Sequence, residues 1–167
     1  PPLDAGPPQP HGAAVTPLAL TGATGFVGKA TVEHALARGI HIRALTRRDQ
    51  PPREGVTWIA GNLDSEDALA RLASSADAVI HVAGVVNAPT PEGFIHGNVD
   101  GTRPMSPAPA SGGGGRVVHV SSMAAREPRL SRYGESKALA EEQVRNSGLD
   151  WTMIRPPGVY GPGDLEM

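Results

Sequence analysis

The segment TGATGFVG, Thr21 to Gly28, constrains this chain more than any other. It follows a short apolar run, Leu18 to Leu20, and precedes an amphipathic stretch, which gives the order strand, glycine turn, helix. Backbone N–H groups at a helix N-terminus point into such a turn, and the helix dipole favours negative charge there. Gly22 can make the tight turn, Gly25 lets a pyrophosphate approach the backbone, and Gly28 lets the helix lie close on the strand. The spacing is G-x-x-G-x-x-G. Gly28-Lys29 is followed by Ala30, where a magnesium-binding phosphate loop needs Ser or Thr, so that alternative fails. Glycine is common here, 21 of 167 residues, so the triplet gains weight only from what lies downstream.

Downstream, short apolar runs alternate with helical patterns. Phe26 to Arg38 carries apolar Val27, Ala30, Val32, Ala35 and Leu36 and stops at Gly39. Ile40 to Leu45 and Val56 to Ala60 read as strands. Asp64 is the expected N-cap, with Asp67 in a capping-box-like position, of a helix reaching about Ala73. Ala78 to Ala83 is a nearly all-apolar strand, Glu92 to Thr102 should begin a helix, and Arg116 to Val120 is a fifth strand. Ser131 to Ser147 is a long helix closed by Gly148, and Trp151 to Ile154 is a sixth strand before Pro156-Pro157. Near-continuously apolar strands alternating with helices predict an α/β fold, a doubly wound parallel sheet covered on both faces. Its nucleotide crevice should lie at the carboxyl ends of the strands, where the first and fourth diverge.

Two segments stand outside this pattern. Five of the 17 prolines fall in the first ten residues, so residues 1–14 are expected to be a disordered lead-in and 15–167 the folded domain. Thr102 to Gly115, TRPMSPAPASGGGG, occupies the place of a crossover helix. Each interior proline costs a helix about 3 kcal/mol and each glycine about 1, so that helix should be short or broken, or the segment anomalous.

The chain lacks cysteine, which removes disulfides, thiolate metal sites and cysteine nucleophiles and fits a reducing, cytoplasmic setting. Net charge is −2, so no nucleic-acid footprint is expected. No apolar run approaches the roughly 20 residues of a membrane span. His11, His34, His41, His96 and His119 show no metal-ligand spacing, so no metal site is expected. His119 reads as structural, and Trp58 and Trp151 as core.

The chemistry-bearing residues lie further along. Ser121-Ser122 follows the fifth strand, and Tyr133-Gly134-Glu135-Ser136-Lys137 opens the next helix. The i,i+4 spacing puts Tyr133 and Lys137 on one helix face. An ammonium beside a phenol stabilises the phenolate, so the tyrosine can exchange a proton with a substrate hydroxyl or carbonyl. Ser122 can hydrogen-bond the same substrate oxygen, and Lys137 can also hold a nicotinamide ribose.

TGATGFVG at Thr21, DAVIHVAG at Asp77, NVDGT at Asn98, VHVSS ending at Ser122, YGESK at Tyr133 and RPPGVYGPGD at Arg155 occur in this order from Val15 onward. In this the chain resembles the extended or atypical short-chain dehydrogenases/reductases, often called NAD-dependent epimerase/dehydratases. The resemblance implies a Rossmann-like fold and a catalytic triad of Ser122, Tyr133 and Lys137. It implies a phosphate loop at Gly22, Thr24, Gly25, Phe26, Val27 and Gly28, and cofactor contacts from His81, Val82, Ala83, Gly84 and Asn98. Tyr133 and Lys137 would touch the cofactor as well, and Arg155 and Pro156 would sit near the nicotinamide. The family usually has Gly-Asp-Leu after the third strand, its Asp meeting adenine. Here the residues are Gly61-Asn62-Leu63, and the Asn62 amide can serve the adenine beside Leu63. The family's substrate-binding portion follows RPPGVYGPGD, and Met167 leaves little of it in this chain.

The implied activity is hydride transfer on an alcohol, ketone or nucleotide-sugar substrate, with Tyr133 carrying the proton. The competing readings are a non-catalytic dinucleotide-binding relative and an inactive fragment. After the second strand stand Arg47 and Arg48, whose guanidinium groups suit a 2′-phosphate and favour NADP. Asp49 is the acidic residue that would serve NAD instead. A small-molecule substrate and a homodimer are the expected partners.

Overall fold

The computed structural model describes residues 17–102 and 115–164. Residues 1–14 and the proline- and glycine-rich run at 103–114 lie outside this range. Six parallel strands form one sheet in the order β3-β2-β1-β4-β5-β6. They are β1 Leu18–Thr21, β2 Ile42–Thr46, β3 Val56–Ala60, β4 Ala78–His81, β5 Arg116–Val120 and β6 Asp150–Ile154. The sheet reverses direction of growth between β1 and β4, so the loops leaving these neighbours diverge to form the crevice expected of a doubly wound fold.

Alternation along the strands separates two cores. On one face, α1 (Phe26–Leu36) packs Val32 and Ala35 onto Leu20, Ile42, Ala44 and Val56. On the other, α2 (Glu66–Ala73) packs Leu69, Leu72 and Ala73 onto Ala19, Leu45, Val79 and Val117. α4 (Arg132–Arg145) connects β5 to β6.

Several boundaries differ from the sequence reading for local reasons. β2 begins at Ile42 rather than Ile40 because α1 ends in a Schellman motif: Gly39 N–H donates to Leu36 O and Ile40 N–H to Ala35 O. Gly39 takes the required left-handed backbone, at φ 69°. The N-cap position of α2 is Ser65, not Asp64, and its side chain makes no capping hydrogen bond. The Asn62 side chain makes the preceding turn, its Oδ1 accepting from Asp64 N–H at 2.8 Å and Ser65 Oγ at 3.0 Å.

The helix expected over 92–102 is a composite. A single turn, α3 (Pro91–Phe94), is capped by Thr90 and runs into a π-helical turn at Ile95–Val99 and a 3₁₀ turn at Asp100–Thr102. Of the two tryptophans expected in the core, Trp58 packs against the core under α1 and Trp151 does not. Trp58 is half-buried, with its indole N–H on Pro51 O, and Trp151 lies exposed in β6, the edge strand.

Candidate active site

The glycine loop closes against itself and against the end of β4. A Cβ at Gly28 would stand 1.9 Å from Gly22 O, and one at Gly22 would stand 2.7 Å from Ala83 N. Gly22 also has φ +75°, a conformation that disfavours any side chain. Gly25 is the N-cap of α1 and brings no side chain to cap the first-turn N–H groups. Thr24 and Gly25 are exposed, and no side chain among the described residues caps the first turn of α1, which leaves its N–H groups open to an anion. This is the donor set and the space that a diphosphate requires.

Beneath the loop runs a chain of buried hydrogen bonds. Thr102 Oγ donates to Asn98 O at 2.7 Å, so it must accept from His81 Nε2 at 3.1 Å. His81 is therefore protonated on Nε2, and Nδ1 accepts from Thr21 Oγ at 2.7 Å. Thr21 Oγ in turn accepts from Ala83 N–H. Burial, with His119 and Lys137 nearby, holds the His81 pKa well below its ordinary value. The ring expected to line the cofactor is thus buried and fully engaged. What this strand end offers the crevice is the backbone of Val82, Ala83 and Gly84.

Asn98 fixes that backbone. It is buried, accepts from Val85 N–H at 2.8 Å, and donates to Val85 O at 3.0 Å and Ser136 Oγ at 2.9 Å. Its side chain therefore joins the loop after β4 to α4 and is not free to reach a ligand. A Cβ at Gly84 would meet its Oδ1 at 2.7 Å.

At the end of β5, Ser122 Oγ accepts from Ala124 N–H at 3.2 Å and caps the 3₁₀ turn Met123–Arg126, leaving the hydroxyl proton free to donate. Ser131 caps α4, its Oγ accepting from Gly134 N–H at 2.9 Å. Gly134 lets α4 touch the Ser122 turn, since a Cβ there would lie 2.7 Å from Ala124 O. A glycine inside YGESK costs a helix about 1 kcal/mol, which is the sequence signal that such a contact exists.

Tyr133 is half-buried beside Phe94, ring centroids 6.4 Å apart, and its hydroxyl has no partner among the described residues. Lys137, one turn on, is 5% exposed. Its Nζ donates to Val120 O at 2.9 Å and lies 3.7 Å from where a Gly84 Cβ would be. Burial lowers its pKa to about 8, against the opposing pull of Glu141.

Glu141 was not singled out by the sequence. It is buried, yet its carboxylate accepts from Ser121 Oγ at 2.6 Å, Arg155 Nε at 2.7 Å, Arg155 Nη2 at 2.5 Å and Arg145 Nη2 at 2.8 Å. These partners offset its burial and hold the pKa down to about 2. Arg155, expected near the nicotinamide, thus spends its guanidinium on Glu141. Pro156 accepts Met123 N–H through its carbonyl at 3.0 Å.

At the other end of the crevice, Thr46 shapes the turn after β2 by donating to Arg48 O at 2.6 Å. The side chains of Arg47 and Arg48 are exposed and make no hydrogen bond or ion pair among the described residues. Asn62 is exposed after β3, and Leu63 packs on the α2 core. Because Asn62 Oδ1 is occupied by the turn, its amide nitrogen is the part left to meet a base. No cluster of His, Asp and Glu among the described residues could hold a metal, and no helix there is long and apolar enough to cross a membrane.

Comparison with known proteins agrees with this fold. A family model described as NAD(P)H-binding matches residues 22–163. The chain is 44% identical over 153 residues to a ceramide reductase of Caulobacter vibrioides, covering 89% of this chain and 48% of that protein. It is 34% identical over 145 residues to a (4-alkanoyl-5-oxo-2,5-dihydrofuran-3-yl)methyl phosphate reductase of Streptomyces griseus, covering 83% and 46%. Among solved structures, a short-chain dehydrogenase/reductase superfamily protein of Agrobacterium tumefaciens with bound NAD superposes with a TM-score of 0.69. That protein is 27% identical, and the match covers 83% of this chain and 48% of the other. The chain spans about half the length of the curated relatives it matches.

Proposed function

Given that the chain belongs to the NAD(P)H-binding family, with the fold of the short-chain dehydrogenases/reductases, we propose that it serves an NAD(P)-dependent reductase acting on an apolar ketone. The observation that carries this reading is the buried Lys137, one helical turn from the free hydroxyl of Tyr133 and anchored on Val120 O. When bound, the nicotinamide supplies the hydride. Tyr133 gives its hydroxyl proton to the carbonyl oxygen as the carbonyl carbon is reduced, and Ser122 donates a hydrogen bond to the same oxygen. Lys137 stabilises the phenolate left on Tyr133 and binds the ribose. The backbone of residues 25–28 holds the pyrophosphate, and Arg47 and Arg48 hold a 2′-phosphate, which makes NADPH the preferred reductant.

The substrate class is inferred from the loops after β4 and β5, the strand ends that lead to Gly84 and Ser122. Val86, Met123 and Leu130, in the loops after β4 and β5, expose 55%, 41% and 82% of their surface. Large apolar side chains there favour a lipid-like ketone over a nucleotide sugar. The similarity to a ceramide reductase points the same way. The test is NADPH oxidation by the full-length protein with a long-chain ketone and, separately, a nucleotide sugar. Tyr133→Phe should lower turnover on the ketone by about 10²- to 10⁴-fold with cofactor affinity nearly unchanged. Turnover equal to wild type in that variant would refute the reading.

A further inference from the structure

The proton-transfer residues sit on two pieces of chain, the Ser121-Ser122 turn and α4, and one side chain outside them ties both to the Arg155-Pro156 turn. Glu141 lies on α4, one turn beyond Lys137 and on the same face. Its Oε1 takes the hydroxyl of Ser121, the neighbour of Ser122. Both its oxygens take the guanidinium of Arg155, at the start of the turn whose Pro156 carbonyl anchors Met123 N–H. Arg145 completes the set from the far side, still on α4. A buried carboxylate is costly unless fully paired, and a lone structural pair could be replaced by apolar residues at no loss of stability. Here each partner outside α4 leads instead to a segment that carries a site residue.

We propose that Glu141 is a positioning residue, which locks α4, the Ser121-Ser122 turn and the Arg155-Pro156 turn in one geometry and lends its negative charge to Lys137. The inference rests on the reductase reading above. The charge matters because Lys137 is buried and its surroundings otherwise disfavour an ammonium. The imidazoles of His81 on β4 and His119 on β5 couple to it, but both are neutral where Lys137 titrates, so burial is what disfavours its ammonium. The Tyr133 hydroxyl is one turn away, and Arg145 and Arg155 direct their charge to Glu141. Glu141 is the group that raises the Lys137 pKa against burial.

The experiment replaces Glu141 with Gln in the full-length protein. Lys137 is titrated through the ¹⁵N shift of its side-chain nitrogen without cofactor, and turnover is measured against pH. Glu141→Gln should move Lys137 deprotonation to lower pH by about one unit, and the high-pH limb of kcat should move with it. At neutral pH kcat should fall about tenfold or more, while NAD(P)H affinity changes less than about threefold. An unchanged titration and an unmoved limb overturn the proposal, even if the variant is less stable. Ser121→Ala keeps the charge but cuts the link to Ser122. It should lower kcat several-fold without moving the limb, and wild-type kcat in it overturns the positioning role should Glu141→Gln fail to fold. Tyr133→Phe, run in parallel, separates the two ideas. If it turns over normally, the reductase reading fails, whereas the Lys137 titration judges Glu141 independently of turnover.

Discussion

The rings of His81 and His119 stack in the middle of the sheet, centroids 5.4 Å apart and planes 22° from parallel. They are register partners on the adjacent parallel strands β4 and β5. His81 has a hydrogen bond at each nitrogen, while His119 has none at either among the described residues. A neutral pair can stack here, but a charged ring would have to give up water, with Lys137 close by.

That arrangement predicts acid sensitivity. Burial, with Lys137 adding to it, lowers the His119 pKa from an ordinary value of 6.5 to about 4. The unfolded chain therefore takes up a proton below about pH 6.5 that the folded chain refuses, and stability must fall as the pH falls. For His119 the loss develops between about pH 6.5 and 4 and approaches about 3 kcal/mol, and His81 adds to it in the same direction. Glu141 acts lower down. Its stabilisation is complete above its ordinary pKa of 4.5 and is lost as the pH falls through about 2. Urea denaturation at pH 7, 6 and 5 should show the histidine effect, and His119→Phe, which keeps the stack, should flatten the slope across that window. An unchanged slope in that variant would exclude His119 as its source.

The glycine loop allows a sharper test, because its glycines have different reasons to be glycine. A Cβ at Gly28 collides with Gly22 O at 1.9 Å, whereas one at Gly25 meets that oxygen at 3.4 Å and nothing closer. Gly28→Ala should therefore cost more than about 3 kcal/mol of stability, through forced backbone movement. Gly25→Ala should stay within about 1 kcal/mol of wild type, yet weaken cofactor binding about tenfold by crowding the open side of the cradle. Thermal unfolding with and without NADPH separates the two effects. Equal destabilisation by both variants would contradict the loop geometry described here.

The sheet and the glycine loop were legible in the sequence because their signals are local. β3 and β5 begin and end where apolar runs meet turn residues. What was not legible depends on contacts distant in the chain. The π-helical turn at Ile95–Val99 replaces regular helix where Asn98 bonds Val85 and Ser136, and where a Gly97 Cβ would press on Val85 at 2.7 Å. Periodicity carries no trace of such contacts. Glu141 looks like any helix glutamate until Ser121 and Arg155 arrive from 20 and 14 residues away. His81 and Trp151 show the opposite error. The apolar run around His81 did not reveal that its ring turns inward to Thr21 and Thr102, and a tryptophan in an edge strand can lie exposed.

The proposed preference for NADPH can be tested at the turn after β2. Arg47 and Arg48 follow Thr46, whose hydroxyl ties back to Arg48 O, so the turn is fixed while neither guanidinium group has a partner among the described residues. Two free guanidinium groups can take a phosphate through charge-assisted hydrogen bonds, each worth about 1.5–3 kcal/mol. A 2′-hydroxyl offers them no charge. Replacing both arginines with serine should therefore weaken NADPH binding by about 10- to 100-fold and change NADH binding by less than about threefold. Fluorescence titration of the full-length protein with each nucleotide measures both. An equal loss for NADPH and NADH would mean that these arginines act on the shared part of the cofactor, and the assignment to the 2′-phosphate would fall.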